Sequence, residues 1–121
     1  MAVAGKLQVK PGQRVRVVNA PTDVELDLDT VDDEGADAVL VFVRNSDELR
    51  SHEAVVIENA SKDRLTWIAY PKAGKLGTDL NRDRLWQLLE DKAIQPVRNV
   101  AIDDTWSALR FRPGGGSGSG G

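Results

Sequence analysis

The sequence predicts an α/β fold: a three-layer arrangement in which a mostly parallel sheet of about five strands carries helices on both faces and ends in an antiparallel hairpin. Three observations lead there. Ala38 to Val43 (AVLVFV) is a continuous apolar run with no polar alternate, the pattern of a strand covered on both faces. Leu65 to Trp86 reads as an apolar run, a Gly/Lys loop and the start of a helix. Val97 to Ile102 and Trp106 to Phe111 are two short β-rich runs separated by Asp103-Asp104-Thr105, a hairpin spacing.

Composition sets the limits. Of 121 residues, 114–121 form a Gly/Ser tail read as a flexible linker, which leaves residues 1–113 for a single α/β domain with one core. Apolar residues at 40% and charged residues at 29% give a globular balance and argue against a disordered chain. The N-terminus lacks the apolar core of a signal peptide, and no run approaches the roughly 20 apolar residues of a spanning helix, so a cytoplasmic protein without membrane contact is expected. The chain has no cysteine and one histidine, which excludes disulfides, thiolate metal sites and cysteine nucleophiles. Charge is uneven: residues 1–61 carry 6 basic and 12 acidic side chains, and 62–112 carry 10 and 7. The overall net charge of −3 weighs against a nucleic-acid partner.

Taken in order, Arg14 to Asn19 (RVRVVN) is a β-branched run bracketed by Pro11-Gly12 and Ala20-Pro21 and forms the first strand. Asp23 to Asp37 holds 8 acidic residues in 15, with Val24, Leu26 and Leu28 alternating against acids. That period belongs to an extended, half-buried segment. An EF-hand reading fails, because Gly35 at the sixth loop position leaves Val41 where the twelfth needs Glu. Ala38 to Val43 is the second strand. Ser46, followed by Asp47 and Glu48, is expected to cap a helix running to about Ala60, with Leu49, Val56, Ile57 and Ala60 inward and His52 at the margin of the stripe. Leu65 to Tyr70 is the third strand, stopped by Pro71. Asn81 caps the second helix, Leu80 and Leu85 occupy the positions of a hydrophobic staple, and the helix ends near Ala93. The two hairpin runs are the fourth and fifth strands. Arg98 and Asn99 make the fourth the more polar, so it is set at the sheet edge, giving the order 1-2-3-5-4.

This layout resembles the second half of the methyltransferase-type, Rossmann-like fold, whose last two strands also form an antiparallel hairpin. The turn after the first strand, NAPTD, has no glycine, so the dinucleotide or S-adenosylmethionine loop of that fold is missing. PKAGKLGTDLNRDRLWQLL followed by PVRNVAIDDTWSALRFRP is similar to a small bacterial family of uncharacterised domains, and the likeness covers most of Leu7 to Pro113. The resemblance implies a native α/β domain and no particular activity.

In open α/β sheets ligands bind outside the carboxyl ends of the parallel strands. Those ends carry Asn19, then Ser46, then Lys72, Gly74, Lys75, Gly77 and Thr78, then Asp103, which are the candidate ligand-binding residues. Pro71 to Asn81 can be read as a small-anion or nucleotide-phosphate site: glycines open the backbone N–H groups, two lysines add charge, and a helix N-terminus follows. It can equally be read as a tight connection whose lysines pair with Asp103 or Asp104. No Walker A pattern is present, and the GxxG at Gly74–Gly77 lacks the helices on both sides that an RNA-binding loop needs. Trp106 is the candidate interaction residue, a ring near the hairpin end for a protein partner. No catalytic residue, metal site or cofactor is assigned. A non-enzymatic domain acting through protein binding is the leading expectation.

Overall fold

The computed structural model describes residues 3–10, 12–22, 24, 30–31, 35–72 and 74–114. A single helical turn, α1 (Val3–Lys6), precedes β1 (Val15–Val18), the two-residue β2 (Thr30–Val31) and β3 (Ala38–Phe42). Then come α2 (Ser46–Ser61), β4 (Leu65–Pro71), α3 (Arg82–Leu89), β5 (Ile94–Ala101) and β6 (Trp106–Pro113). They form one mixed sheet in the order β2-β1-β3-β4-β6-β5. β1 to β4 run parallel, while β6 is antiparallel to both β4 and β5.

The sheet therefore has six strands in an order other than the expected five as 1-2-3-5-4. The difference is β2, whose two residues pair with Val15 and Arg16 at the edge beyond β1. Most of the acidic segment 23–37, expected as an extended stretch, lies outside the described residues, and so do 115–121 of the expected tail. The antiparallel C-terminal hairpin is present, with β5 at the sheet edge.

The three-layer expectation is also corrected. α2 and α3 lie on the same face, where Leu49, Val56 and Ala60 of the one and Leu85 and Leu89 of the other join Val39, Val41, Ile68, Leu109 and Phe111 in one core. Two crossovers of one hand that advance in the same direction along a sheet put their helices on the same side. Both β3–α2–β4 and β4–α3–β5 advance that way. On the other face, Leu40, Phe42, Trp67, Trp106 and Ala108 are covered by Leu7, with Val9 and Val24 packed at the margin. The Trp67 indole N–H donates to the Leu7 carbonyl at 2.9 Å, which ties the N-terminal segment to the sheet.

Local corrections follow from backbone geometry. The cap of α2 is Asn45, not Ser46: Asn45 is extended (φ −159°, ψ 178°) and its Oδ1 accepts the Glu48 N–H at 2.9 Å. α3 is capped as expected by Asn81, whose Oδ1 accepts the Arg84 N–H at 2.8 Å, and Leu80 and Leu85 are both buried. α3 gives way to a 3-10 turn over Glu90–Lys92, and Ala93 at φ 63° turns the chain into β5. β5 therefore starts at Ile94, three residues before the expected Val97. Pro96 is tolerated because β5 is an edge strand, and the register shifts between Pro96 and Arg98.

Candidate functional site

β1 passes the chain toward the β2 side of the sheet and β3 passes it toward the β4 side. The gap outside their carboxyl ends is the switch point at which open α/β sheets place ligands. Asn19 and Arg44 stand there. Asn19, at φ 62° in the left-handed region that asparagine tolerates, donates its Nδ2 to the Phe42 carbonyl at 2.9 Å and to Glu48 Oε1 at 3.0 Å. Glu48, in the first turn of α2, also accepts the Arg44 backbone N–H and Nε, each at 2.9 Å. Burial pushes the Glu48 carboxyl up, but the hydrogen bonds and charge of Arg44, with Asn19, outweigh it and hold the pKa below its ordinary value. The switch point is filled by the chain's own side chains.

The N-terminus of α2 is occupied too. Ser46 donates its backbone N–H to Asp79 Oδ1 at 2.9 Å and its hydroxyl to Asp79 Oδ2 at 2.6 Å. These bonds from the Ser46 hydroxyl and amide hold the Asp79 carboxyl below its usual range. A carboxylate on the first N–H groups of a helix is what the positive end of the helix dipole favours. Asp79 arrives on the loop after β4, so that loop brings its own anion to the place where a ligand phosphate would sit.

The rest of the loop folds on itself. Gly74 (φ 80°) and Gly77 (φ 66°) take left-handed backbone that glycine accepts without strain, so the turn itself accounts for them. Between them Leu76 is 60% exposed. Thr78 Oγ1 accepts the Leu80 N–H at 3.0 Å, a local bond at the entry to α3. The Lys72 backbone N–H donates to the Thr105 carbonyl at 2.8 Å, which fastens the loop to the hairpin turn. Asp103 accepts the Thr105 and Trp106 N–H groups at 2.8 and 2.7 Å, a turn bond typical of aspartate. Among the described residues neither Lys72 nor Lys75 forms an ion pair with Asp103 or Asp104.

The structure thus brings Asn19, Ser46, Lys72, Thr78 and Asp103 to the carboxyl-end rim. Trp106 is not an exposed contact there: its ring is 2% exposed and packs edge-on against Phe42, with centroids 5.1 Å apart. It belongs to the core because inward alternation along β6 puts residues 106 and 108 on the face that Leu7 covers. Sequence reasoning missed Asp79 and Glu48. Both are acids next to expected helix starts, and only the fold reveals their long-range partners Ser46 and Asn19.

A second open feature lies at the far edge. Along β5, Val97 is 47% exposed, and Arg98 and Asn99 are exposed beside it. Among the described residues no group of three His, Asp or Glu side chains could hold a metal ion, and no helix is long and apolar enough to cross a membrane. No protein-family model matches the chain, and no curated protein matches it.

Proposed function

We propose that the chain is a non-enzymatic α/β domain that acts through protein binding, using the edge of β5. The observation that carries this reading is the contrast in satisfaction: the rim's carboxylates are bonded within the chain, while β5 is an edge strand with no neighbour on its outer side among the described residues and with Val97 exposed on it. An unpaired strand edge offers a row of N–H and C=O groups to an added strand, a recurring mode of peptide recognition. A cytoplasmic location and membership of a small bacterial family of uncharacterised domains belong to the same proposal.

A photoreactive amino acid in place of Val97, in cells that make the chain, tests it. A discrete protein adduct that is absent when the same group replaces exposed Arg50 on α2 is the expected result; no adduct beyond that control overturns the reading.

The second reading, a small-anion or nucleotide-phosphate module built on residues 71–81, is favoured by one observation. Lys72 and Lys75 carry no ion pair among the described residues. Titration with phosphate and ATP, followed by backbone amide shifts, should then give changes clustered at Gly74 to Asn81. No change at millimolar ligand sinks this alternative.

A further inference from the structure

The chemistry of the partner can be read from the arginines around β5, on the premise that this edge binds protein. Arg98 and Arg110 stand directly opposite each other in the β5–β6 register, and Arg112 follows two residues along β6 on the same face. Like charges in directly opposite positions destabilise a sheet. Arg112 is compensated by Asp63, whose carboxylate takes its Nε and Nη2 at 3.1 and 3.3 Å. Arg110 instead donates to a neutral group, Gln8 Oε1, at 2.6 Å, and its Nε is buried without a partner among the described residues. Burial first, then the charge of Arg112, with Arg98 adding and Asp63 opposing, pushes the Arg110 pKa down. The Arg98 side chain makes no hydrogen bond or ion pair among the described residues.

The opposite face of the same edge is also cationic. Asn99 turns toward the helix side, where its Oδ1 accepts the Tyr70 hydroxyl at 3.0 Å. Arg82, at the start of α3, joins Pro96, Val97, Arg98, Asn99 and Leu109 around a cleft of about 320 Å³, and no acid is among these lining residues. Among the described residues, the acid paired with Arg82 is its sequence neighbour Asp83, 3.7 Å from its Nε, with both side chains mostly exposed. Pro96 and the register shift after it limit regular pairing, so the stretch open to a further strand is Arg98 to Ala101.

Edge charge of this kind refuses some partners. A second copy laid along β5 would gather the arginines of both copies into one patch, and a basic strand would meet the same repulsion. A strand bearing carboxylates meets the reverse: it would supply the counter-charge that Arg98 lacks and that Arg82 finds only in its exposed neighbour Asp83. We infer that the edge of β5 takes an extended acidic segment of a partner protein, added as a strand along Arg98 to Ala101 with carboxylates facing both Arg98 and Arg82. Arg98 selects through charge, and the exposed Val97 supplies the apolar contact at one end.

Short peptides that alternate Thr-Val pairs with X-X pairs, where X is Glu, Gln or Lys, test this against the full chain by backbone amide shifts. The Glu peptide is expected to shift Arg98 to Ala101 and to bind about threefold more tightly than the Gln peptide, as an opposite-charge cross-strand pair provides. Arg98→Glu should weaken the Glu peptide by a similar factor and strengthen the Lys peptide, a gain that a misfolded variant could not show. Equal affinity for the Glu and Gln peptides overturns the acidic preference. Shifts clustered on Lys72 to Asn81 overturn the location. An oligothymidylate that displaces the Glu peptide and binds more tightly overturns it in favour of nucleic acid. If none of the peptides binds while the Val97 adduct persists, the acidic partner is lost and the protein-binding reading stands.

Discussion

At the carboxyl-end rim, Glu48 and Asp79 each hold donors from another part of the chain, and Asp103 holds the backbone N–H groups of its own turn. At the β5 edge, Arg98 has no such partner among the described residues, and Arg82 has only its exposed neighbour Asp83. Both regions carry charge and both lie outside the core, so charge alone does not distinguish them. What separates the rim's carboxylates from the edge arginines is whether the fold uses that charge. An internally bonded group contributes to holding elements together, whereas an unbonded one is free to meet a partner at no structural cost. The rim that fold analogy nominates as the ligand site is thus the region the chain has closed with its own side chains.

Truncation should break this contrast most visibly. Trp106 sits beneath the rim against Phe42 with its ring buried. Trp106→Ala should cost about 3–5 kcal/mol, the range for emptying a buried aromatic site. Val97→Ala on the open edge should stay within about 0.5 kcal/mol, as surface changes do. Urea denaturation of the two variants measures both; a comparable loss at Val97 would mean that the edge is structural after all.

The caps come next in size. Asn45→Ala and Asn81→Ala each remove a side chain that accepts the N–H three residues on, and each should cost about 1 kcal/mol. The Asn45 variant also tests the switch point, because Glu48 is the residue whose N–H it caps. Exchange of the Glu48 and Arg44 amides should accelerate in Asn45→Ala and remain unchanged in Asn81→Ala.

Acid should loosen the rim and leave the edge alone. Glu48 and Asp79 both titrate lower in the folded chain than in the unfolded one. The unfolded chain therefore takes up protons first as pH falls. The stability these carboxylates contribute is present above their ordinary range near about pH 4 and is lost as pH drops through the folded-state values. Urea midpoints followed from about pH 6 to pH 2 should fall, and Asp79→Asn should lower the neutral value and flatten that fall. If the variant keeps the parent's slope, Ser46 and Asp79 are not coupled as their geometry requires.

The core strands were legible in the sequence because each core run has a pattern that burial imposes: Ala38 to Phe42 is apolar throughout and buried throughout, whereas the two-residue edge strand β2 has no such pattern. Asn81 and the Leu80–Leu85 staple were legible for the same local reason. The helix layering was not, because a 3.6-residue stripe says that a helix is covered and not which face of the sheet covers it. Trp106 shows the limit in the other direction: a tryptophan next to a turn looks available until alternation along β6 is fixed by pairing with β4. Asp79 and Glu48 were illegible because their partners are 33 and 29 residues away in sequence. The edge arginines were visible as a polar strand, but their opposition to Arg110 depends on the register of the hairpin and its shift after Pro96.

If Arg98 were part of the fold's own electrostatics, reversing its charge would destabilise the chain. Its nearest charged neighbour across the strand is Arg110, which has no carboxylate bonded to it, so Arg98→Glu replaces a like-charge pair with an opposite one. Such cross-strand changes amount to about 0.2–1 kcal/mol, and here the sign is a gain. Arg98→Glu should therefore raise the urea midpoint slightly at low ionic strength, and the gain should shrink in added salt because the pair is exposed and screened. A gain on reversal would show that the fold does not draw stability from the charge of Arg98, which leaves that charge available to a partner. A measured loss would instead place Arg98 among the internally used charges, on the same footing as Glu48 and Asp79.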